Sequence, residues 1–319
     1  MIGGDAGSVH PYVLWTDVAP RDGLQNIADS ISLAAKLRLV RGLLDAGTPR
    51  VEATAFVSPK WVPQLADAPE LMRELGDDVI ERLRVLIPNE RGLERALEHG
   101  VRNVLLTIGA TDTFNMRNVN RSVDDSLREL RAIVDRAQSA GCAVDVALSV
   151  SFGCPYEGHV SPERVVDLCG RIVEAGATEV GPADTIGVAT PHAVSDMCAR
   201  LDGTVPRARL SLHVHDTRGM GVVNVVAAFQ AGVRRFDGSV GGVGGCPFAP
   251  RSTGNVCSED ALQALMSLGA EADADIPSLC EVATQLETDL GRALPGKLYR
   301  AGVWTGESAV AETREARVG

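Results

Sequence analysis

The residues best placed to do chemistry lie in the stretch Leu210-Ser-Leu-His213-Val-His215-Asp216. An apolar, strand-forming run leads into two histidines at i and i+2, a spacing that puts both imidazoles on one face of a strand. Followed at once by Asp216 and the glycine-bearing turn Thr217-Arg-Gly-Met-Gly221, they read as half of a metal site at the end of a buried strand. Taken alone, the pair reads equally well as hydrogen-bonded core histidines. Further polar residues recur where strands would end: Pro20-Arg21-Asp22-Gly23, Glu52, Asp184-Thr185, the loop Gly241-Gly-Val-Gly-Gly245-Cys246-Pro247, and Ser252-Thr-Gly-Asn255. Asp22, His213, His215 and one neutral oxygen ligand would form a mixed nitrogen and oxygen set suited to Mg2+ or Mn2+, with positions left for substrate oxygens. Cys246 sits in a glycine loop whose backbone can move, so it suits proton donation better than sealing a metal. The commoner fate of a cysteine, a buried small hydrophobe, is equally open there.

Such residues meet only if the elements bring one end of every strand together. Candidate strands run over Val13–Ala19, Arg50–Phe56, Leu83–Pro88, Val101–Gly109, Ala143–Phe152, Thr178–Thr185, Ala208–Asp216 and Arg234–Val243. Between them, apolar residues at helical spacing predict helices over Leu33–Ala46, Gln64–Leu75, Glu90–His99, Val123–Ala140, Pro162–Ala175, Pro191–Leu201, Gly219–Ala231 and Ser258–Leu268. Several of these end at an Ala-Gly or His-Gly pair, the expected left-handed C-terminal cap. Eight βα units predict an α/β protein of the TIM (β/α)8 barrel class, in which the loops after the strands carry the chemistry. An open doubly wound sheet is disfavoured because no Gly-x-Gly-x-x-Gly phosphate loop follows the first strand. The expected organisation is one catalytic barrel over residues 1–300, with an additional C-terminal helix over Ile276–Leu290 packed on it. Residues 301–319 are expected to form a loosely ordered tail.

Composition narrows the function classes. The 319 residues, 45% hydrophobic with 33 Gly and 16 Pro, are ordinary for a globular α/β protein. A net charge of −11 argues against binding to a nucleic acid backbone, which needs a basic face. The seven cysteines are odd in number, far apart and never in a C-x-x-C pair, which argues against a disulfide framework and a zinc ribbon. With no signal-like start and no apolar run of membrane-spanning length, a cytoplasmic location away from any membrane is expected.

The segments Pro20-Arg-Asp-Gly-Leu-Gln-Asn26, Phe56-Val-Ser-Pro-Lys-Trp-Val-Pro-Gln64, Gly153-Cys-Pro-Tyr-Glu-Gly158, Asp184-Thr-Ile-Gly187, His213-Val-His-Asp216 and Gly242-Val-Gly-Gly-Cys-Pro-Phe248 together resemble the 3-hydroxy-3-methylglutaryl-CoA lyase family. That family belongs to the DRE-TIM metallolyases, which are TIM barrels. The resemblance runs in unbroken order from about residue 12 to about residue 300. It implies that Asp22, His213, His215 and Asn255 ligate a divalent cation and that Arg21 neutralises a developing enolate oxygen. It further implies that Glu52 and Asp184 sit around the metal and the substrate hydroxyl, and that Cys246 protonates the leaving acetyl-CoA carbanion. The implied activity is cleavage of 3-hydroxy-3-methylglutaryl-CoA to acetyl-CoA and acetoacetate by a homodimer that needs Mg2+ or Mn2+ and an acyl-CoA substrate but no organic cofactor.

Three departures fall near the acyl group. Ala55 stands where the family has a serine after strand two, and Gly181-Pro-Ala-Asp184 replaces a common Ser-Leu-Gly-Asp on strand six. Each lost hydroxyl should weaken the hold on a distal carboxylate by about 1 kcal/mol or more. Arg251, where a small residue is usual, is either a replacement anion contact or a solvated loop charge. A lyase for a related 3-hydroxyacyl-CoA, such as citramalyl-CoA or a longer branched acid, is therefore an alternative. A condensing enzyme of the same superfamily is a further alternative, opposed by the glycine-cysteine loop. A barrel that kept the metal only for binding is opposed by the presence of both Arg21 and Cys246.

Overall fold

The computed structural model describes residues 10–245 and 254–304. Its strands are β1 (Leu14–Asp17), β2 (Arg50–Ala55), β3 (Leu83–Leu86), β4 (Asn103–Gly109), β5 (Ala143–Ser149), β6 (Glu179–Asp184), β7 (Ser211–Val214) and β8 (Arg235–Gly238). All pair in parallel in sequence order, and β8 returns to β1, with Leu14 opposite Arg235 and Asp17 opposite Gly238, so the sheet is a closed barrel. Around it lie α1 (Leu33–Asp45), α2 (Ala68–Leu75), α3 (Glu90–Glu98), α4 (Asp112–Val119), α5 (Val123–Ser139), α6 (Pro162–Glu174), α7 (Pro191–Arg200), α8 (Gly221–Gln230), α9 (Ser258–Ser267), α10 (Ile276–Leu290) and α11 (Leu298–Ala301). This is the TIM barrel expected from the eight βα units.

Local chemistry sets the ends of each unit. Ser32, Asn89, Ser122, Ser161 and Thr190 each accept the backbone N–H three residues on, capping α1, α3, α5, α6 and α7. The glycines that follow α1, α3, α5, α6 and α8 all have positive φ, between 69° and 97°, as the Ala-Gly and His-Gly pairs predict. Isoleucine, leucine and valine from the helices, such as Leu39 and Leu43 of α1 and Ile133 of α5, close over the outward residues Val51, Val104, Val144 and Val180 to form the apolar core. Helix α10 buries Ile276, Leu279, Ala283 and Leu286 and crosses α1 at Gly42, where an added Cβ would lie 3.1 Å from Val282.

The structure differs from the sequence expectation in four places. Helix α4 follows β4, begins after Thr111 and ends at Asn120 in the left-handed region; its eight residues are too few to show a clear period. The first strand stops at Asp17, and Ala19–Gly23 form a π-helical turn in which Asp22 and Gly23 both donate to the Val18 carbonyl. The segment before Leu75 breaks into a short 3-10 turn over Pro63–Leu65 and then α2. Strand β8 ends at Gly238, because Val240–Gly242 turn away in another 3-10 segment. The expected loose tail lies outside the described residues from position 305 onward. Among the described residues no helix is long and apolar enough to cross a membrane.

The barrel lumen is ionic. Barrels of this kind usually fill with branched aliphatic side chains, yet Arg50 on β2 reaches across to Asp145 on β5 at 3.0 Å and Glu179 on β6 at 2.9 Å. Arg84 on β3 reaches across to Asp237 on β8 at 2.8 Å. Contacts between non-adjacent strands mean that these side chains all point inward. Further along the strands in steps of two, the inward positions become Ala147 on β5, Gly181 and then Ala183 on β6, and the site residues described next.

Candidate active site

Arg21 and Asp22 are presented by the π-helical turn after β1. Pro20 opens that turn, and Gly23 closes it against Val243, whose Cγ1 would lie 2.7 Å from any Cβ at residue 23. His213 and His215 extend from β7 on one face, as the i, i+2 spacing requires, with ring centroids 5.0 Å apart in an edge-to-face arrangement. One ligand atom from each of Asp22, His213 and His215 lies within 4.8 Å of the others. Asn255 is brought alongside by an antiparallel bridge to His215. Its Nδ2 donates to Asp22 Oδ2 at 3.0 Å and to the Val243 carbonyl at 3.3 Å.

Two buried atoms here, His215 Nδ1 and Asn255 Oδ1, have no hydrogen-bond partner among the described residues. A buried polar atom without a partner is costly, and both belong to the set that chemistry would choose for a cation. The electrostatics fit the same use. Burial works to raise the Asp22 carboxyl, but Arg21 and the two imidazoles outweigh it and hold it down at about 2. Burial, helped by the charge on His213, pushes His215 down to about 3, so it is a neutral imidazole with a lone pair to give. Burial also pulls His213 down, but Asp237 and Asp22 outweigh it and lift it above its ordinary value. A carboxylate, two imidazoles and an amide carbonyl therefore fit a hard or borderline divalent cation.

The carboxylate and the two imidazoles belong to one wall of a cavity of about 830 Å3. Arg21, Asp22, His213, His215 and Asp237 line its polar side, with Ser149, Thr107 and Thr185 nearby. Val57, Val62, Leu86, Leu105, Ala147 and Ala183 line an apolar side. Trp61, Met116 and Arg117 stand at the rim, and Gly245, whose carbonyl accepts from Asn26 Nδ2 at 2.8 Å, belongs to the wall where the glycine loop begins.

Four of the other residues singled out in the sequence, Glu52, Asp184, Ala55 and Gly181, lie off the cavity surface. Glu52 is fully buried beneath Arg21; its Oε1 accepts from Arg21 Nε and its Oε2 from Arg84 Nε at 2.9 Å. Asp184 is buried and uses its two oxygens to accept the Val188 and Ala189 N–H groups at 2.8 and 3.0 Å, fixing the turn after β6. Ala55 packs with Leu65, Leu86 and Leu105 behind the apolar wall. Gly181 lies one step below Ala183, and an added Cβ would sit 2.5 Å from Ser211 Oγ. Cys246 and Arg251 lie outside the described residues. Sequence reading missed Arg84, Asp237, Ala147 and Ala183. For the two charged ones a signal existed, since each interrupts an otherwise apolar strand.

The (β/α)8 barrel gathers a candidate cation site and a buried arginine at the carboxyl ends of its strands, and its relatives are carbon–carbon lyases, the class to which the chain belongs. The chain belongs to the HMGL-like family, which matches residues 12–286. It is 40% identical over 296 residues to the (R)-citramalyl-CoA lyase of Chloroflexus aurantiacus, covering 90% of this chain and 93% of that one. It is 39% identical to the hydroxymethylglutaryl-CoA lyase of Pseudomonas mevalonii, covering 87% and 92%. The solved structure of an HMG-CoA lyase from Acinetobacter baumannii, in complex with coenzyme A and 3-methylmalate, superposes with a TM-score of 0.89 at 33% identity, covering 95% of this chain and 99% of that one.

Proposed function

We propose that this chain cleaves the C2–C3 bond of a tertiary 3-hydroxyacyl-CoA, giving acetyl-CoA and a keto acid, with 3-hydroxy-3-methylglutaryl-CoA as substrate and acetoacetate as the second product. The observation that carries this reading is the convergence of Arg21, Asp22, His213 and His215 on one wall of a cavity large enough for an acyl group, with Asn255 bonded to Asp22 beside them. Asp22, His213, His215 and Asn255 would hold Mg2+ or Mn2+. When bound, the cation acts as a Lewis acid that makes the substrate hydroxyl more acidic.

As the C2–C3 bond breaks, the hydroxyl proton would pass to water in the cavity, C3 becomes a carbonyl, and the bonding pair moves into the thioester as an enolate. Arg21 would meet that developing negative charge with a guanidinium whose orientation Glu52 fixes. A proton then returns to C2, and Cys246 is the proposed donor. Asp184 would act by holding the turn after β6. The apolar wall would receive the C3 methyl group, with Ala55, Gly181 and Arg251 setting the fit of the rest of the acyl chain. We further propose a homodimer in the cytoplasm. The unpaired thiols of Cys142, Cys154, Cys169, Cys198, Cys257 and Cys280 suit a reducing compartment.

One observation favours a second substrate, citramalyl-CoA. Arg21 and Arg117 are the arginines in the described cavity wall, and the side formed by Leu86, Leu105, Ala147 and Ala183 carries no charge. A carboxylate attached directly to C3 stays near the polar wall, whereas a longer acid arm points toward the apolar one. The deciding experiment offers both thioesters to the purified protein with Mn2+ and follows acetyl-CoA release. Turnover in the range of about 1–1,000 per second on either, abolished by a chelator, is the expected result. Bound Mn2+ with no acetyl-CoA from either substrate overturns the reading.

A further inference from the structure

Two arms of the site arrive from different parts of the barrel: Arg21 from the turn after β1, and His213 from β7. Beneath them, Arg84 on β3 is 1% exposed and among the largest fully buried side chains of the described residues. Its Nε donates to Glu52 Oε2 at 2.9 Å, and its Nη2 lies 2.6 Å from the same oxygen and 2.8 Å from Asp237 Oδ2. Glu52 in turn accepts from Arg21 Nε, and Arg21 Nη1 donates to Asp22 Oδ1 at 2.6 Å. On the other side, Asp237 Oδ2 lies 3.7 Å from His213 Nδ1, an ion-pair distance longer than a hydrogen bond. The contacts form a single chain, Asp22, Arg21, Glu52, Arg84, Asp237, His213, whose two ends are the carboxylate and imidazole that face each other in the site.

We propose that Arg84 is a positioning residue that fixes Arg21 and His213 relative to one another, so that the enolate-stabilising charge and the cation site keep one spacing. The inference rests on the lyase reading above. A guanidinium suits this role because its donors radiate from one rigid plane and can address two carboxylates at once, whereas an ammonium is a single point on a flexible stem. Full burial removes competing water, so each carboxylate depends on Arg84 for its orientation. The ionic group further down the lumen centres on a different arginine and meets the first group only through longer contacts to Arg84. Arg50 holds Asp145 and Glu179 at 3.0 and 2.9 Å, Arg235 adds a contact to Glu179 at 3.2 Å, and Arg84 stands 3.8 and 3.9 Å from those two acids. Arg50 is therefore a matched control: an inward arginine paired with two acids that touches neither Arg21 nor His213.

The test compares Arg84→Lys and Arg50→Lys, reading the Mn2+ dissociation constant without substrate, kcat and KM separately, and the melting temperature. Arg84→Lys is expected to weaken Mn2+ binding and lower kcat by about tenfold or more each, with KM close to wild type. Arg50→Lys is expected to lose comparable melting temperature while keeping wild-type Mn2+ affinity and kcat. If Arg84→Lys does not fold, Asp237→Asn cuts only the His213 arm, and the same loss of Mn2+ affinity is expected there. Wild-type Mn2+ affinity in whichever of these variants folds, or an equal loss of affinity in Arg50→Lys, overturns the inference. Wild-type protein that binds Mn2+ but cleaves neither thioester overturns the lyase reading instead, and the Mn2+ comparison still decides the role of Arg84 in spacing the site.

Discussion

Replacing Glu259 with glutamine should make the melting temperature less sensitive to pH, in a direction the structure specifies. Glu259, near the start of α9, is fully buried, and its two oxygens accept the Gly241 N–H at 3.1 and 3.0 Å. Gly241 opens the glycine turn that leads to Gly245 at the cavity wall. Burial lifts the Glu259 carboxyl from the ordinary 4.5 to about 7, against the downward pull of Cys257, its own backbone N–H and that of Gly241. The folded value lies above the unfolded one, so its contribution to stability is full below pH 4.5 and is lost as pH rises through 7. That gap corresponds to about 3 kcal/mol. Glutamine keeps an acceptor for Gly241 and cannot ionise, so it imitates the protonated acid at every pH. Wild type and Glu259→Gln should therefore melt alike at pH 5, and the variant should melt about 5 °C or more higher at pH 8.5. Asp17, which burial lifts to about 7 with the Glu259 charge pushing in the same direction, titrates in both proteins, and losing that charge adds to the variant's gain at high pH. Thermal melts in matched buffers across this range give the answer. A difference between the two proteins that stays the same from pH 5 to pH 8.5 refutes the reasoning.

Two further outcomes are expected. Gly181→Ser, which restores the hydroxyl usual in the family, should destabilise the barrel by about 1–3 kcal/mol because its Cβ meets Ser211 Oγ at 2.5 Å. It should not speed hydroxymethylglutaryl-CoA cleavage; an unchanged melting temperature with faster turnover would show that Ser211 yields and that the lost serine limits the reaction. Cys246→Ser should lower turnover by about 10²- to 10⁴-fold while leaving Mn2+ affinity unchanged, and normal turnover would remove Cys246 from the proton-donor role.

What was legible in the sequence follows from which signals are local. The barrel was legible because each βα unit carries its own apolar period and its own glycine stop, and the closing pair of β8 with β1 follows once eight units are counted. The i, i+2 histidines and the Arg21-Asp22 pair were legible as residues that converge, because each pair is set by neighbours in the chain. Residues that act across the lumen carry no such signal. Glu52 read as a site residue, yet its partners Arg21 and Arg84 sit 31 and 32 positions away and place it below the cavity. Asp237 is 153 positions from the arginine it pairs with. Ala147 and Ala183 look like any small strand residues until the closed barrel turns them toward one cavity. The local trace of the ionic lumen is a charge between apolar neighbours, as in Leu83-Arg84-Val85, Val144-Asp145-Val146 and Phe236-Asp237-Gly238. An isolated charge in a buried strand must find its opposite, because an unpaired ion in a dry interior is far too costly to keep. Four arginines and five acids make up this network, Arg50, Arg84, Arg235, Glu52, Asp145, Glu179 and Asp237 within strands and Arg21 and Asp22 in the turn after β1, while the strand-end acids Asp17 and Asp184 accept from Ser258 and from the turn after β6 instead. Each arginine in a buried strand calls for acids across the lumen, and the geometry adds which acids those are and which end of the network faces the cavity.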